Sequence, residues 1–245
     1  MRPRGLIVPT LALAAVLGGA VLLEGQQRAP FDTGTKYTRD SEEYATLTRQ
    51  VYRLAGDAAA RAAQAFGSRP WAAILDIDET ALDNSTYQLE RATYNLPFDD
   101  ASWDAWVARR EAGAVPGAVE FVASVRRAGG HVAWITNRDA TVVAATRANL
   151  QAARLWGDDD RLCVQDTAAR TKRARRSEVA SGQGACAWPG QPMQIAAFVG
   201  DQMGDFPEPD EKIPNTGVDT AFGRTCFLLP NAMYGQWTTK VTRVR

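Results

Sequence analysis

Two aspartates, Asp76 and Asp78, stand two residues apart at the end of the apolar run 71–75. This run predicts a buried strand, and residues i and i+2 of a strand project from the same face. Open α/β sheets bind ligands beyond the carboxyl ends of their strands, so both carboxylates are expected in one site. Two carboxylates this close repel each other unless a cation or a shared proton offsets the repulsion, which favours a divalent metal. The alternative is a surface turn, because turns attract Asp.

Further polar groups follow other predicted strands. Thr136 directly follows the run 131–135. Asp201 and Asp205 follow a later apolar run, 195–199. Lys172 lies near the start of a predicted helix. The carboxyl ends of parallel strands meet at one edge of a sheet, so these groups are expected to line one cleft. A metal and an ammonium would neutralise an anionic substrate there, while one Asp attacks it.

The elements that must position these residues alternate between strand and helix, which predicts a parallel, doubly wound sheet. The predicted strands are 71–75, 131–135, 161–164, 195–199 and 225–229. The predicted helices are 39–66, an amino-terminal extension, and 116–127, 141–155 and 171–180. The aromatic-rich stretch 87–111 is expected to form short helices, a small cap that could cover the site.

The amino terminus carries Arg2 and Arg4 and then 18 residues, 6–23, without a charge. This pattern predicts that residues 1–25 are a signal peptide or a membrane anchor, and the length leaves both open. The chain is therefore expected to be exported, extracellular or held at the cell surface, and to meet a membrane only through this segment. A linker is expected over 26–38 and a single folded domain that carries the site over 39–245.

The composition indicates one folded domain and limits the binding partners that are expected. The chain has 245 residues, 45% of them hydrophobic, which suits one domain with a sizeable core. Lys and Arg together number 28, as do Asp and Glu, so nothing steers the molecule toward a nucleic acid polymer. The basic run 170–176 is interpreted as a solvated helix face apart from Lys172. Three cysteines are compatible with one disulfide and one spare thiol. A homo-oligomer stays open.

The ordered motifs resemble those of the haloacid dehalogenase superfamily of phosphatases. They are DxDxT at 76–80, a strand-end Thr at 136, a Lys at 172 and GDxxxD at 200–205. Finer features are similar to the class C acid phosphatase branch, which includes bacterial surface-lipoprotein 5′-nucleotidases: the segments 76–85, 114–121, 135–138 and 229–237. The resemblance covers about residues 39–237. No Cys precedes Cys163, so the lipid-modified Cys of the lipoprotein members is absent.

The resemblance implies a role for each residue of the set. Asp76 would be the nucleophile that forms an aspartyl-phosphate. Asp78 would protonate the leaving oxygen and later activate water, which calls for a carboxyl whose pKa is raised by its neighbours. The implied Mg²⁺ ligands are Asp76, Asp78 through its backbone carbonyl, Asp201 and, in a supporting position, Asp205. The implied phosphate-binding residues are Thr136, Asn137 and Lys172.

Two further features bear on the reaction and the substrate. His131 is the chain's single histidine and lies about 16 Å from Thr136 along its strand, so it is interpreted as structural and histidine-type phosphatase chemistry is excluded. Phe98, Trp103 and Tyr234 could form a slot in which a nucleobase stacks. The alternative is that these aromatics pack the cap against the core.

The leading hypothesis is a Mg²⁺-dependent phosphatase acting on small phosphomonoesters, above all nucleoside 5′-monophosphates. A phosphotransferase that passes the same aspartyl-phosphate to an alcohol is a second hypothesis. A non-catalytic phospho-acceptor or storage protein on the same fold is a third. Asp78 argues against a phospho-acceptor, which needs no acid–base group two residues after its phosphorylated Asp.

Overall fold

The computed structural model describes residues 32–167, 170–211 and 222–240. The predicted export segment 1–25 and the start of the predicted linker lie outside these residues. The helices are α1 (Thr33–Asp40), α2 (Glu42–Phe66), α3 (Ser85–Thr93), α4 (Asp100–Arg109), α5 (Ala118–Arg127), α6 (Val143–Ala152) and α7 (Lys172–Ser181). The strands are β1 (Trp71–Leu75), β2 (Leu82–Asp83), β3 (Gly113–Ala114), β4 (His131–Asp139), β5 (Arg161–Gln165), β6 (Gln194–Gly200) and β7 (Cys226–Leu228). Short 3-10 helices occupy Ala140–Val142, Met203–Asp205 and Gln236–Thr239.

Five strands form one parallel sheet in the order β5-β4-β1-β6-β7. From β1 the chain first adds β4 and β5 on one side and then returns to add β6 and β7 on the other. The carboxyl end of β1 therefore lies at a topological switch point, where α/β sheets bind their ligands. The predicted doubly wound parallel sheet is confirmed.

The central strand β1 is buried on both faces, which explains why its sequence is an unbroken apolar run. Ala73 and Leu75 belong to a hydrophobic cluster that includes side chains of α2 and α5. Ala72 and Ile74 belong to a second cluster on the opposite face, which includes Val179 of α7. Helices therefore cover both faces, and β1 is held rigidly where its two aspartates emerge.

The amino-terminal extension is more helical than the sequence predicts. Helix α2 ends at Phe66 as expected. It begins at Glu42 rather than at 39, because α1 covers most of the predicted linker and continues to Asp40. The Asp32 side chain caps α1 by accepting from the backbone N–H groups of Gly34 and Thr35 at 3.4 and 3.3 Å. A Cβ on Gly34 would stand 2.0 Å from the carbonyl oxygen of Ala232, so α1 packs tightly on the carboxyl-terminal loop. This distant contact is invisible to local patterns. No helix in the described ranges is long and apolar enough to cross a bilayer.

The segment between β1 and α5 forms the predicted cap of short helices, α3 and α4. It also contains an antiparallel pair, β2 with β3, which the sequence did not indicate. Tyr87 joins the two helices: its ring centroid lies 5.1 Å from that of Trp103 and 6.3 Å from that of Trp106, both on α4. The cap is thus an aromatic cluster seated beside the carboxyl end of β1.

The three cysteines are buried free thiols, so the disulfide allowed by their number is not formed. Cys163 lies on β5 and Cys226 on β7, the two opposite edges of the five-stranded sheet, which prevents these two from pairing. Burial raises the pKa of the Cys163 thiol well above its ordinary value, and contact with Cys186 raises it further. Cys163 is therefore an uncharged packing group of the second core cluster, to which Cys186 also belongs.

Candidate active site

Three buried carboxylates converge at the carboxyl ends of β1 and β6. Asp76, Asp201 and Asp205 each present an oxygen, and these oxygens all lie within 4.8 Å of one another. The Asp76 N–H donates to the carbonyl oxygen of Val199 at 3.0 Å, which fixes the end of β1 against β6. The Asp205 carboxylate accepts from the backbone N–H groups of Asp201 and Gln202 at 3.1 and 2.9 Å. The cluster is held in place by backbone groups.

Gly200 makes this arrangement possible. A Cβ at position 200 would stand 2.3 Å from the Cβ of Asp205. Only a residue without a side chain lets the 3-10 turn that follows β6 fold back over the strand. The glycine of the GDxxxD motif is thus required by the close approach of Asp205.

Lys172 supplies the one cation that contacts this cluster within the described residues. Its Nζ lies 2.5 Å from Asp76 Oδ1 and 2.6 Å from Asp205 Oδ1. Burial lowers the pKa of Lys172, but the two carboxylates more than reverse that effect and leave it above its ordinary value. Burial raises the pKa of Asp76, against the influence of Lys172, and raises the pKa of Asp201 to about 6, with a further contribution from Asp205.

Three buried acids, only two of which contact the single ammonium of Lys172, fit a divalent cation. Each neighbouring carboxylate makes the next harder to ionise, and a second positive group would remove that penalty. Carboxylate oxygens without sulfur or imidazole are the donor set preferred by Mg²⁺ and Ca²⁺. The cluster can therefore hold a hard divalent metal.

Neutral side chains orient the same acids. Thr80 Oγ1 lies 3.4 Å from Asp76 Oδ2 and 3.2 Å from Asp201 Oδ1. The buried Tyr52 hydroxyl of α2 donates to the Thr80 carbonyl at 2.6 Å. Asn231, which sequence reasoning did not single out, donates to Asp201 Oδ2 at 2.8 Å. The Thr of the DxDxT motif thus bridges two of the three carboxylates, and α2 fixes it from behind.

Asp78 lies outside the three-acid cluster but lines the same cavity as Asp76, and its carboxylate is bound by a buried arginine. Arg138 donates to Asp78 Oδ1 from Nη2 at 2.7 Å and from Nε at 3.0 Å. Asn84 donates to the same oxygen at 3.0 Å. The only sequence signal for Arg138 was its place in the segment 135–138.

The phosphate-binding candidates lie together but are not equally accessible. Asn137 and Lys172 line the cavity above the acids. Thr136 is fully buried beneath them, where its Oγ1 accepts from the Arg138 N–H at 3.1 Å. Thr136 and Asn137 do not follow β4, as predicted, but belong to it, because the strand continues to Asp139 and regains its pairing with β5 there.

A cavity of about 450 Å³ opens above Asp76, Asp78 and Lys172. All three predicted stacking residues line it: Phe98, Trp103 and Tyr234. The Phe98 side chain is 60% exposed, so this ring does not pack the cap against the core. Trp103 lines the cavity and also packs within the cap, where it contacts Tyr87. The site therefore pairs an anion-binding floor with aromatic walls.

Comparisons with known proteins decide the family. A model described as the HAD superfamily, subfamily IIIB (Acid phosphatase), matches residues 24–237. The chain belongs to this family. It is similar to the class C acid phosphatase from Bacillus anthracis, with 26% identity, a TM-score of 0.70 and coverage of 83% of this chain and 84% of that one. The structure of that enzyme with tungstate bound matches with 27% identity, a TM-score of 0.68 and the same coverage.

The chain is thus a class C acid phosphatase of the haloacid dehalogenase type, a phosphoric monoester hydrolase. Its one histidine lies outside the site of this acid phosphatase, as predicted. His131 Nδ1 is 2.6 Å from a carboxylate oxygen of Asp159, and its ring packs on Trp188. These contacts give His131 a structural role at the start of β4.

The basic run of the acid phosphatase is not the solvated helix face that the sequence suggested. Arg175 and Arg176 are 1% and 2% exposed. Arg175 donates to the carbonyl oxygens of Thr136 and Cys163, and Arg176 forms an ion pair with Glu211 at 2.7 Å. Both arginines turn inward because α7 packs where carbonyl groups and a buried acid need donors. Arg173 alone fits the earlier interpretation, with its acidic partners Glu208 and Asp210 at the surface.

Proposed function

We propose that this acid phosphatase is an exported, Mg²⁺-dependent enzyme that hydrolyses nucleoside 5′-monophosphates through an aspartyl-phosphate on Asp76. The observation that carries the proposal is the cavity described above. Its floor holds Asp76, Asp78 and Lys172, and its walls hold three aromatic rings. A phosphoryl group suits the floor, and a flat, apolar leaving group suits the walls.

Asp76 is the proposed nucleophile because it stands at the centre of the floor, with its carboxylate oriented by Lys172 and Thr80. One Asp76 oxygen would form a bond to phosphorus while the bond from phosphorus to the ester oxygen breaks. Asp78 would give its proton to that ester oxygen and then take a proton from the water that hydrolyses the aspartyl-phosphate. Lys172 and Asn137, which line the cavity, would bind the phosphoryl oxygens, whereas the predicted third residue, Thr136, is buried and does not line it.

Asp76 and Asp201 would bind the Mg²⁺ together with the Asp78 backbone carbonyl, while Asp205 supports them from behind. The metal would neutralise charge on the transferring phosphoryl group. Asp205 suits the supporting position because one of its oxygens already accepts two backbone N–H groups and the other contacts Lys172. Thr80 and Asn231 keep Asp201 oriented toward Asp76.

Export stays a prediction that rests on residues 1–25, and so does the choice between a cleaved signal and a retained anchor. Mass spectrometry of the amino terminus of the mature protein distinguishes the two. A mature chain that begins near residue 26 would indicate cleavage. An intact Met1 in the membrane fraction would indicate an anchor.

The decisive experiment is a hydrolysis panel of nucleoside monophosphates, sugar phosphates and p-nitrophenyl phosphate, each with Mg²⁺ and with excess EDTA. We expect the highest kcat/KM for the nucleotides, and activity that EDTA abolishes and Mg²⁺ restores. Full activity in EDTA would refute the metal requirement. A nucleotide kcat/KM no higher than that of the sugar phosphates would refute the substrate. Adding an alcohol tests for a phosphotransferase, which would make a new phosphate ester at the expense of free phosphate.

A further inference from the structure

We propose that Arg138 and Asn84 are positioning residues that lock the Asp78 carboxyl with its Oδ2 toward the leaving group, and that the cap helix α4 holds this lock in place. The inference rests on the proposed role of Asp78 as the general acid. It adds which oxygen carries the proton, what fixes that oxygen, and how the cavity wall is connected to it.

The two oxygens of Asp78 are not equivalent. Oδ1 accepts three hydrogen bonds, two from Arg138 at 2.7 and 3.0 Å and one from Asn84 at 3.0 Å. Oδ2 has one long contact, 3.3 Å to the Nε of Arg138. An ionised carboxyl offers about four lone-pair sites in all, so Oδ1 is fully occupied by its donors. Oδ2 is the oxygen left to carry a proton.

Arg138 is itself fixed on every side. Its side chain has no exposed surface. Nη1 donates to Thr146 Oγ1 at 3.3 Å, and the backbone N–H donates to Thr136 Oγ1 at 3.1 Å. The continuation of β4 through Asp139 keeps the residue within regular structure. Arg138 lies beside the cavity, but its guanidinium cannot turn toward a bound phosphate without giving up its bonds to the acceptors Asp78 Oδ1 and Thr146 Oγ1, which favours an orienting role.

The cap fixes Asn84, the second donor to Asp78. Trp106, on α4, donates from Nε1 to Asn84 Oδ1 at 2.8 Å, and this bond orients the amide so that its NH₂ faces Asp78. Trp103, on the same helix, lies with its ring 5.7 Å from the Arg138 guanidinium carbon. Trp103 also lines the cavity. One helix therefore forms part of the leaving-group wall and orients the group that protonates the leaving oxygen.

The fixed orientation of the Asp78 carboxyl affects the rate of ester cleavage only when the leaving oxygen needs a proton. As the Asp76 oxygen bonds to phosphorus and the ester bond breaks, the departing oxygen takes the Oδ2 proton and leaves as an alcohol, and Asp78 becomes a carboxylate. An alkoxide such as the 5′ oxygen of a nucleoside is a poor leaving group and depends on this transfer. A p-nitrophenolate is stable as an anion and depends on it little.

The test is the dependence of kcat/KM on the leaving group, measured with Mg²⁺ for Arg138→Met and for Arg126→Met. kcat/KM covers steps up to ester cleavage, which is the step at issue. For Arg138→Met we expect a loss of about 100-fold on alkyl phosphates, typical of a misplaced catalytic group, and a far smaller loss on p-nitrophenyl phosphate. Arg126 pairs with Asp160 at 2.7 Å outside the cavity, so its variant controls for loss of a partly buried ion pair.

A more conservative variant, Trp106→Phe, keeps the inference testable if Arg138→Met does not fold. Trp106→Phe keeps a ring in the cap but removes the donor to Asn84, and it should show the same leaving-group selectivity at about 10-fold, as expected for loss of a single hydrogen bond of roughly 1.4 kcal/mol. Equal losses on alkyl and aryl phosphates in both variants would mean that the network only supports the fold, and would overturn the inference.

Asp78→Asn separates this inference from the proposed function. If Asp78→Asn shows no leaving-group selectivity, the acid role itself fails. If it shows selectivity and Arg138→Met does not, the acid role survives and the positioning role falls. The double variant Asp78→Asn with Arg138→Met should be no more selective than Asp78→Asn alone, because residues that act through one group are not additive.

Discussion

Replacing Lys172 by Met is expected to destabilise the metal-free protein strongly and the protein with Mg²⁺ only weakly. Lys172 Nζ is the ammonium that two of the three buried carboxylates share, at 2.5 and 2.6 Å. Met fills a similar volume without a charge. The variant therefore isolates the electrostatic role of the ammonium from its packing.

The magnitude follows from burial. Removing one partner of a buried ion pair costs about 3–5 kcal/mol, because the charge left behind is unpaired. In a chain of this size 1 kcal/mol moves Tm by about 2–4 °C, so the fall is roughly 6–20 °C. Protonation of a buried acid at low pH reduces this loss of stability. The pKa of Asp201 is raised from 3.8 to about 6, so this acid is neutral and costs nothing at low pH. The stability that the protonated Asp201 contributes is fully present below about pH 3.8 and is lost as pH rises through about 6.

The assay is thermal denaturation at pH 4.5 and pH 7.5, in EDTA and in Mg²⁺. The loss for Lys172→Met should be largest at pH 7.5 in EDTA, and Mg²⁺ should recover most of it without restoring activity. Lys36→Met is the matched control, because Lys36 forms only an exposed pair with Asp40 and should shift Tm little. A Lys172→Met loss that Mg²⁺ does not reduce would refute a metal in the acid cluster.

Three further predictions concern single side chains. Asp76→Asn should abolish turnover with all substrates while the circular dichroism spectrum is unchanged, and a substantial residual rate would exclude the aspartyl-phosphate. Tyr234→Ala should lower kcat/KM for nucleoside monophosphates about 5- to 150-fold, the value of one stacking partner, and spare p-nitrophenyl phosphate; equal losses would mean that Tyr234 only packs its loop. Gly200→Ala should cost about 1–3 kcal/mol, because the new Cβ meets Asp205, and should weaken Mg²⁺ binding measured by calorimetry; wild-type stability and affinity would show that the turn can relax.

Much of the fold was predictable because its signals are local. The apolar run 71–75 and the acids behind it mark a central strand and a site, and the turn residues after Phe66 mark the end of α2 correctly. The convergence of the acids on Lys172 also follows from topology, since parallel strands end at one edge.

What the sequence could not show depends on partners far along the chain. Arg138 binds Asp78, 60 residues away, and Asn231 binds Asp201, 30 residues away. Helix α1 was assigned to a linker because its tight packing on Ala232 leaves no mark in a polar segment. The strand β4 was ended too early because Thr136 and its neighbours are polar, although the strand continues to Asp139, which pairs with Gln165 of β5.

The central place of β1 has a consequence for how the chain folds. The strand that precedes the proposed nucleophile is the first strand of the sheet to be synthesised, yet its partners are β4, whose pairing begins at His131, and β6, whose pairing begins at Gln194. Most contacts that hold β1 therefore close loops of about 60 and 120 residues, which makes folding slow. Until residue 194 has been made, β1 has one unpaired edge and the acids of β6 do not exist beside it. The phosphatase site is thus assembled last, and a chain truncated before β6 has neither the sheet nor the chemistry.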